Sequence, residues 1–364
     1  MRVSDITRLI EEFAPTALQE DYDNAGLLVG SKDTPVTGVL LCLDVTEAVI
    51  DEAIRCGCNL IISHHPLIFG GVKQIIGKNY VQRCIVKAIK NDVAIYAAHT
   101  NMDNVLNGVN GKIADKIGLI NRSILSPKSE NLLKFVTFVP HEFVEKVQTA
   151  LFEAGAGTIG NYDCCSFNSV GTGTFRATDN ANPFVGKAGK LHTEPETRVE
   201  VILPTYRIAQ AVGALKLSHP YEEPEFDIIP LLNDWNTVGA GIVGELPEAM
   251  SEKDFLLFLK NKFNVEIIRH TPFLEKPIKK VALCGGAGSG FLRDAMAQDA
   301  DVFVSGDFKY HEFFDADRKI LIADIGHYES EQFTKEVFYE IITKKIPNFA
   351  LQISEVNTNP INYL

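Results

Sequence analysis

Short, uninterrupted apolar runs recur through the first third of the chain: Val39-Leu40-Leu41-Cys42-Leu43, Leu60-Ile61-Ile62 and Val93-Ala94-Ile95-Tyr96-Ala97-Ala98. Between them the pattern changes to helical spacing. Glu47 to Arg55 reads as one helix, and Tyr80 to Asn91 as another with Val81, Cys84, Ile85 and Ile89 on one face. A strand that is apolar at every position has both faces covered. This alternation therefore predicts βαβ units in an α/β fold whose sheet is covered on both sides.

The last third resumes the same grammar. Val281-Ala282-Leu283-Cys284 leads into a glycine-rich turn, Val302-Phe303-Val304 into Gly306-Asp307, and Ile320-Leu321-Ile322-Ala323 towards His327. A helix then carries Phe333, Val337 and Ile341 at i, i+4 spacing, and Pro347 stops it. The middle reads differently. A strand at Phe135 to Val139, a helix through Phe143, Val144, Val147 and Leu151, and a strand from Cys165 to Phe175 come first. A loop rich in Asn, Gly and Pro spans Ala177 to Gly189. A strand (Arg198 to Leu203), a helix (Ile208 to Leu217) and a strand (Phe226 to Leu231) complete a β-α-β, β-α-β order, the ferredoxin-like arrangement. The expected organisation is one α/β domain in two halves, residues 1–125 and 234–364, interrupted by an inserted α+β domain at 126–233.

Charge and cysteine usage narrow the function classes. A net charge of −12 repels nucleic-acid phosphates, and the one Lys-rich stretch, Lys276, Lys279 and Lys280, is too short to make a basic patch. Nucleic acid is therefore not an expected partner. No apolar run approaches the ~18 residues of a membrane span, and no apolar signal core follows Met1, so a cytoplasmic location is expected. The seven cysteines include the close pairs Cys56/Cys58 and Cys164/Cys165, and neither pair has the spacing of a thiolate zinc site. Reduced thiols are the expectation.

The informative residues follow the strands. Ser63-His64-His65-Pro66 comes directly after Leu60-Ile61-Ile62. Adjacent histidines point to opposite faces of a regular strand, so both reach one site only if the chain turns, which Pro66 favours. His99 ends a second apolar run, with Asp103 four residues later. His327 and Glu331 follow a third; if they open a helix they are neighbours at i and i+4. Open α/β sheets place their ligand sites beyond such strand ends. A lone His there is ordinarily a loop or capping residue, but three His/carboxylate segments together point to a metal. Imidazole with carboxylate suits zinc, iron or manganese. Six candidate ligands exceed one tetrahedral ion, so two divalent ions are expected, able to activate water and polarise an electrophile when ~3.5–4 Å apart. His99 and His311 are the candidate proton carriers, with His311 alternatively a surface helix residue. Asp44 and Thr46 are placed to support a ligand histidine from behind. Gly285-Gly286-Ala287-Gly288-Ser289-Gly290 lacks the P-loop Lys-Ser/Thr, and reads as a tight turn lining the cleft or as a phosphate contact.

The His64-His65, His99-to-Asp103 and His327-to-Glu331 segments, with Asp23-Asn24-Ala25-Gly26-Leu27 and Gly306-Asp307-Phe308-Lys309-Tyr310-His311, resemble the Nif-three-like family, whose members are also called GTP cyclohydrolase 1 type 2 homologs. The resemblance implies that His64, His65, Asp103, His327 and Glu331 ligate a dinuclear metal centre, Glu331 at the bridging place and His99 less uniformly. It implies an α/β domain with covered mixed sheets, a ring-shaped homohexamer, and an insert similar to nitrogen-regulator PII and CutA proteins on the strength of His219-Pro220-Tyr221-Glu222-Glu223-Pro224. Two functions stay open: a metal-dependent hydrolase acting on a small molecule, for which purine ring opening is one candidate, and a non-enzymatic regulatory or scaffold protein whose insert binds an effector or partner.

Overall fold

The computed structural model describes residues 1–364, which divide into two compact units: residues 1–127 with 237–364, and residues 128–236. In the first unit, strands Val39–Cys42, Leu60–Ser63 and Ala94–Ala97 are buried at every position, as continuous apolar runs require. They pair in parallel with one another, and Leu351–Ile353 from the C-terminal region adds a fourth parallel strand beside Val39–Cys42. Gly26–Val29 closes the far edge antiparallel to Ala94–Ala97.

A second, six-stranded sheet has the same logic. Pro277–Leu283, Val302–Ser305 and Leu321–Asp324 run parallel. Arg269–His270 and the long strand Trp235–Ser251 flank them antiparallel, and Ile120–Lys128 lies outermost beside the long strand. The α/β architecture expected from the hydrophobic pattern is thus observed, as two mixed sheets. One apolar core joins residues of both sheets with helices Val3–Phe13, Val109–Ile117, Glu252–Phe263 and Thr334–Lys345. Burying each such Leu, Ile or Phe fully contributes about 1.5–3 kcal/mol. The helices start where short polar side chains take up orphan backbone N–H groups: Thr46 for Glu47–Arg55, Asn79 for Tyr80–Lys90 and Ser251 for Glu252–Phe263.

The second unit is a four-stranded antiparallel sheet in the spatial order Ser166–Arg176, Leu191–Pro204, Leu132–Pro140, Phe226–Leu231. Helices Val144–Glu153 and Ile208–Ser218 supply Val147, Leu151, Ala211 and Leu215 to a core with Phe135, Val139, Val199, Val201 and Leu203. This is a β-α-β-β-α-β chain order with its own core. No helix of the protein is long and apolar enough to cross a membrane, and all seven cysteines are free thiols.

Candidate metal centre

Three strands of the first unit deliver their successors to one point. Leu60–Ser63 ends at Ser63, and the Ser63 hydroxyl donates to the His65 carbonyl (2.9 Å), pinning the turn that the His-His-Pro order anticipates. Both imidazoles then face one cluster, their ring centroids 4.9 Å apart. After Ala94–Ala97, His99 opens the single turn Thr100–Asp103, which carries the Asp103 carboxylate. After Leu321–Asp324, Gly326 (φ +92°) turns the chain into the short helix His327–Glu331. This helix is separate from Thr334–Lys345 rather than its first turn: the helical path is interrupted at Gln332-Phe333, and the His327/Glu331 i, i+4 pairing survives.

The ligating atoms gather in three overlapping groups: His64, His65 and His99; His65, His327 and Glu331; His64, Asp103 and Glu331. All six residues expected at the metal site are therefore brought together. Glu331 belongs to two groups, and its two oxygens divide between them. Oε2 lies 3.0 Å from both His65 Nε2 and His327 Nε2, while Oε1 faces His64 Nε2 at 3.7 Å. Of the expected proton carriers, His311 is exposed on the turn Tyr310–Ala316, where its ring meets Tyr310 and Phe314, and it does not join the cluster.

Each histidine is held from behind at Nδ1. His64 Nδ1 donates to the Ala98 carbonyl (3.0 Å), His65 Nδ1 to Asp44 (2.7 Å), His99 Nδ1 to Asp23 (2.7 Å) and His327 Nδ1 to Asp307 (2.8 Å). Those acceptors place the proton on Nδ1, so every neutral ring turns its Nε2 lone pair towards the cluster. Asp44 is itself fixed by the Thr358 hydroxyl (2.5 Å), and Asp23 by the Thr100 backbone N–H (3.0 Å). Thr46 has a different role from the one anticipated, capping a helix by accepting from Val49 N.

The electrostatics follow from acceptors facing acceptors. Burial and then the charge of Glu331 raise the Asp103 carboxyl above its usual range. Burial works against a charged His65, yet hydrogen bonds to Asp44 and Glu331 push it up to about 10. Burial likewise opposes a charged His327, and Glu331 raises it to about 9. Glu331 moves the other way: burial disfavours its charge, but the surrounding imidazoles hold it well below the carboxylate range. His64 Nε2 and Asp103 Oδ1 are buried without a hydrogen-bond partner, although they are only 3.6 Å apart. A buried lone pair and a buried carboxylate oxygen aimed at the same space are costly unless a cation joins them. This donor set fits divalent metal.

The glycine-rich turn explains itself here. Gly286 (φ +63°) lies against Glu331 and His327, so that a Cβ would collide with Glu331 Oε1, and its N–H donates to Ser330 Oγ (3.0 Å). Gly306 is equally confined, with the His327 backbone nitrogen 2.7 Å from where a Cβ would stand. The turn lines the cluster. Sequence reasoning missed the carboxylates behind His99 and His327. Asp23 and Asp307 precede no periodic segment; only their place in the Asp23-Asn24-Ala25-Gly26-Leu27 and Gly306-to-His311 motifs marked them.

The chain matches the Duf34/NIF3 (NGG1p interacting factor 3) family over residues 1–360. A protein of Halalkalibacterium halodurans named GTP cyclohydrolase 1 type 2 homolog is 42% identical over 99% of this chain and 98% of its own length. A Bacillus subtilis protein of the same name is 38% identical over 99% and 98%. Among solved structures, a Bacillus cereus protein related to NIF3 superposes with a TM-score of 0.86 at 38% identity, covering 100% of this chain and 99% of that one. A Staphylococcus aureus protein gives 0.79 at 33% identity, with the same coverage. Full-length matches of this strength leave one assignment: the chain belongs to the Duf34/NIF3 family.

Proposed function

We propose that this protein is a dinuclear metal-dependent hydrolase acting on a small molecule. The observation that carries the reading is the pair of buried, unpartnered ligand atoms, His64 Nε2 and Asp103 Oδ1, within a cluster that Glu331 divides into two halves. His65, His327 and Glu331 would hold one ion, and His64, Asp103 and Glu331 the other, with His99 beside them. Zinc suits this nitrogen-oxygen mixture, as do iron and manganese. When bound, such ions supply Lewis acidity, which polarises a carbonyl, phosphoryl or ring-carbon electrophile and eases ionisation of water.

The protein's own groups do the rest. Asp44 and Asp307 fix the tautomer and tilt of His65 and His327, and the Ala98 carbonyl does so for His64. We assign proton transfer to His99, whose Nδ1 proton is held on Asp23 and whose Nε2 remains to accept one from water or return one to a leaving group. His311 is given no step. GTP-type purine ring opening fits this reaction class, and the name GTP cyclohydrolase 1 type 2 homolog carried by the relatives makes GTP the first substrate to try. The β-α-β-β-α-β order of the second unit supports reading it as a PII/CutA-like insert. A ring-shaped homohexamer belongs to the same proposal on the strength of the family alone, and native mass spectrometry tests it.

The test compares metal-loaded wild type with His64→Ala and Glu331→Ala over nucleotide and phosphoester panels. Turnover that disappears in both variants supports a hydrolase. Wild type that binds metal and turns over nothing leaves a non-enzymatic metal-binding protein instead.

A further inference from the structure

The second unit contains a cavity of about 260 Å³ whose lining has no Lys or Arg. Phe138, Phe175, Phe184 and Tyr221 form aromatic walls, and Glu196, Glu222, Glu223 and Glu225 make the rest of the lining strongly acidic. We propose that this cavity binds a small organic cation, an alkylammonium or guanidinium compound, with its charge against Glu196 and its apolar part against the aromatic rings.

The strongest support is Glu196 itself. It is only 8% exposed, and its side chain's hydrogen bond is Oε1 accepting from the Tyr221 hydroxyl at 2.9 Å. No Lys, Arg or His pairs with it. A buried carboxylate without a cation is expensive, and a cationic guest supplies what the protein leaves out. Space has also been cleared for this group: Gly173 faces Glu196 Oε2, and a Cβ there would collide with it.

The walls are positioned rather than incidental. His219 ties the His219-Pro220-Tyr221-Glu222-Glu223-Pro224 segment down from both nitrogens: Nε2 donates to the Phe138 carbonyl (3.0 Å) and Nδ1 accepts from Tyr221 N (3.0 Å). Its ring stands edge-on to Tyr221, with centroids 4.9 Å apart. Phe175 lies 6.0 Å and Phe184 6.3 Å from the Tyr221 ring, the spacing of an aromatic box. His192, held by Glu194 (2.7 Å), braces Phe175 edge-on. Cations are attracted to such ring faces. Across the loop, Asn182 N donates to Glu222 (2.9 Å), bringing Ala181, Pro183 and Phe184 to the rim.

The carboxylates argue for an organic cation over a metal ion. Their oxygens do not converge as those of the His64–Glu331 cluster do, and no metal-type grouping forms here. A volume just below the usual range of ligand pockets matches a small guest.

The experiment uses the full-length protein, titrated by calorimetry with methylammonium, choline, guanidinium and spermidine, and with neutral alcohols of matching size and Mg2+ as controls. The expected result is saturable binding of at least one organic cation and none of the alcohols. Glu196→Gln should weaken that binding by about tenfold or more, the weight of a charge-assisted contact. Phe184→Ala, at a half-exposed rim position, should weaken it by a smaller factor. Unchanged metal content and circular dichroism in both variants exclude unfolding and separate this site from the His64–Glu331 cluster. The proposal is overturned if no organic cation binds at 10 mM (roughly the weakest affinity worth assigning), if Mg2+ binds there instead, or if folded Glu196→Gln binds as wild type does.

Discussion

The two units bury acidic groups in opposite surroundings. In the first, Asp103 and Glu331 are ringed by imidazoles whose Nδ1 protons are already spent on Asp23, Asp44, Asp307 and the Ala98 carbonyl. Lone pairs and carboxylate oxygens therefore converge on points of atomic size. In the second, Glu196 has one phenol as partner and aromatic faces around it, and its neighbouring carboxylates stand apart. Convergence of hard donors selects a small, doubly charged ion; dispersed charge on an apolar wall selects a larger, singly charged one. The position of the proton on each imidazole makes the difference.

Removing Glu331 should break the contrast most severely. Glu331→Ala takes an oxygen from both halves, and is expected to lower metal affinity by more than about a hundredfold, beyond the effect of an outer partner. Competition with a chromophoric chelator measures it. Asp44→Asn and Asp307→Asn leave all ligands in place and disturb only the tautomer, so a loss of about 10–100-fold is expected by the same assay. If either matched wild type, the convergence of lone pairs would not depend on those carboxylates.

Acidity gives a third test, on metal-free protein. His65 and His327 have folded-state values of about 10 and about 9, above the ordinary 6.5. Their contribution to stability is complete below pH ~6.5 and fades as pH rises towards 9 and 10, because the unfolded chain gives up those protons first. The raised Asp103 acts in the same direction above the usual carboxylate range. The melting temperature of metal-free protein should thus fall between pH 6.5 and 8.5. Added zinc should flatten the slope and release protons, seen as a buffer-dependent heat in calorimetry. A slope unaffected by metal would separate these groups from the ion. The smallest effect belongs to His311→Ala, expected to leave metal content unchanged because His311 stands outside the cluster.

Much of this was legible in the chain before any coordinate. Val39–Cys42, Leu60–Ser63 and Ala94–Ala97 are apolar at nearly every residue, a pattern only a doubly covered strand requires, and His64, His65, His99 and His327 follow such strands. Other parts were not. The 17-residue strand Trp235–Ser251 is punctuated by Gly239, Gly241, Gly244 and Pro247, which hide its alternation. The interruption between His327–Glu331 and Thr334–Lys345 carries no Gly or Pro, so sequence merges the two helices. Asp23 meets His99 across 76 residues and Asp307 meets His327 across 20, distances that only the sheet topology closes. The Glu196 cavity was hidden for the same reason, since its walls come from separate strands and a loop.

The most direct measurement is metal per chain, by elemental analysis of metal-replete protein after exhaustive gel filtration, with Glu331→Ala alongside. Two half-sites sharing Glu331 predict about two divalent ions per wild-type chain and loss of both in the variant. Less than about one ion in wild type, or a variant that keeps its full complement, would contradict the dinuclear centre.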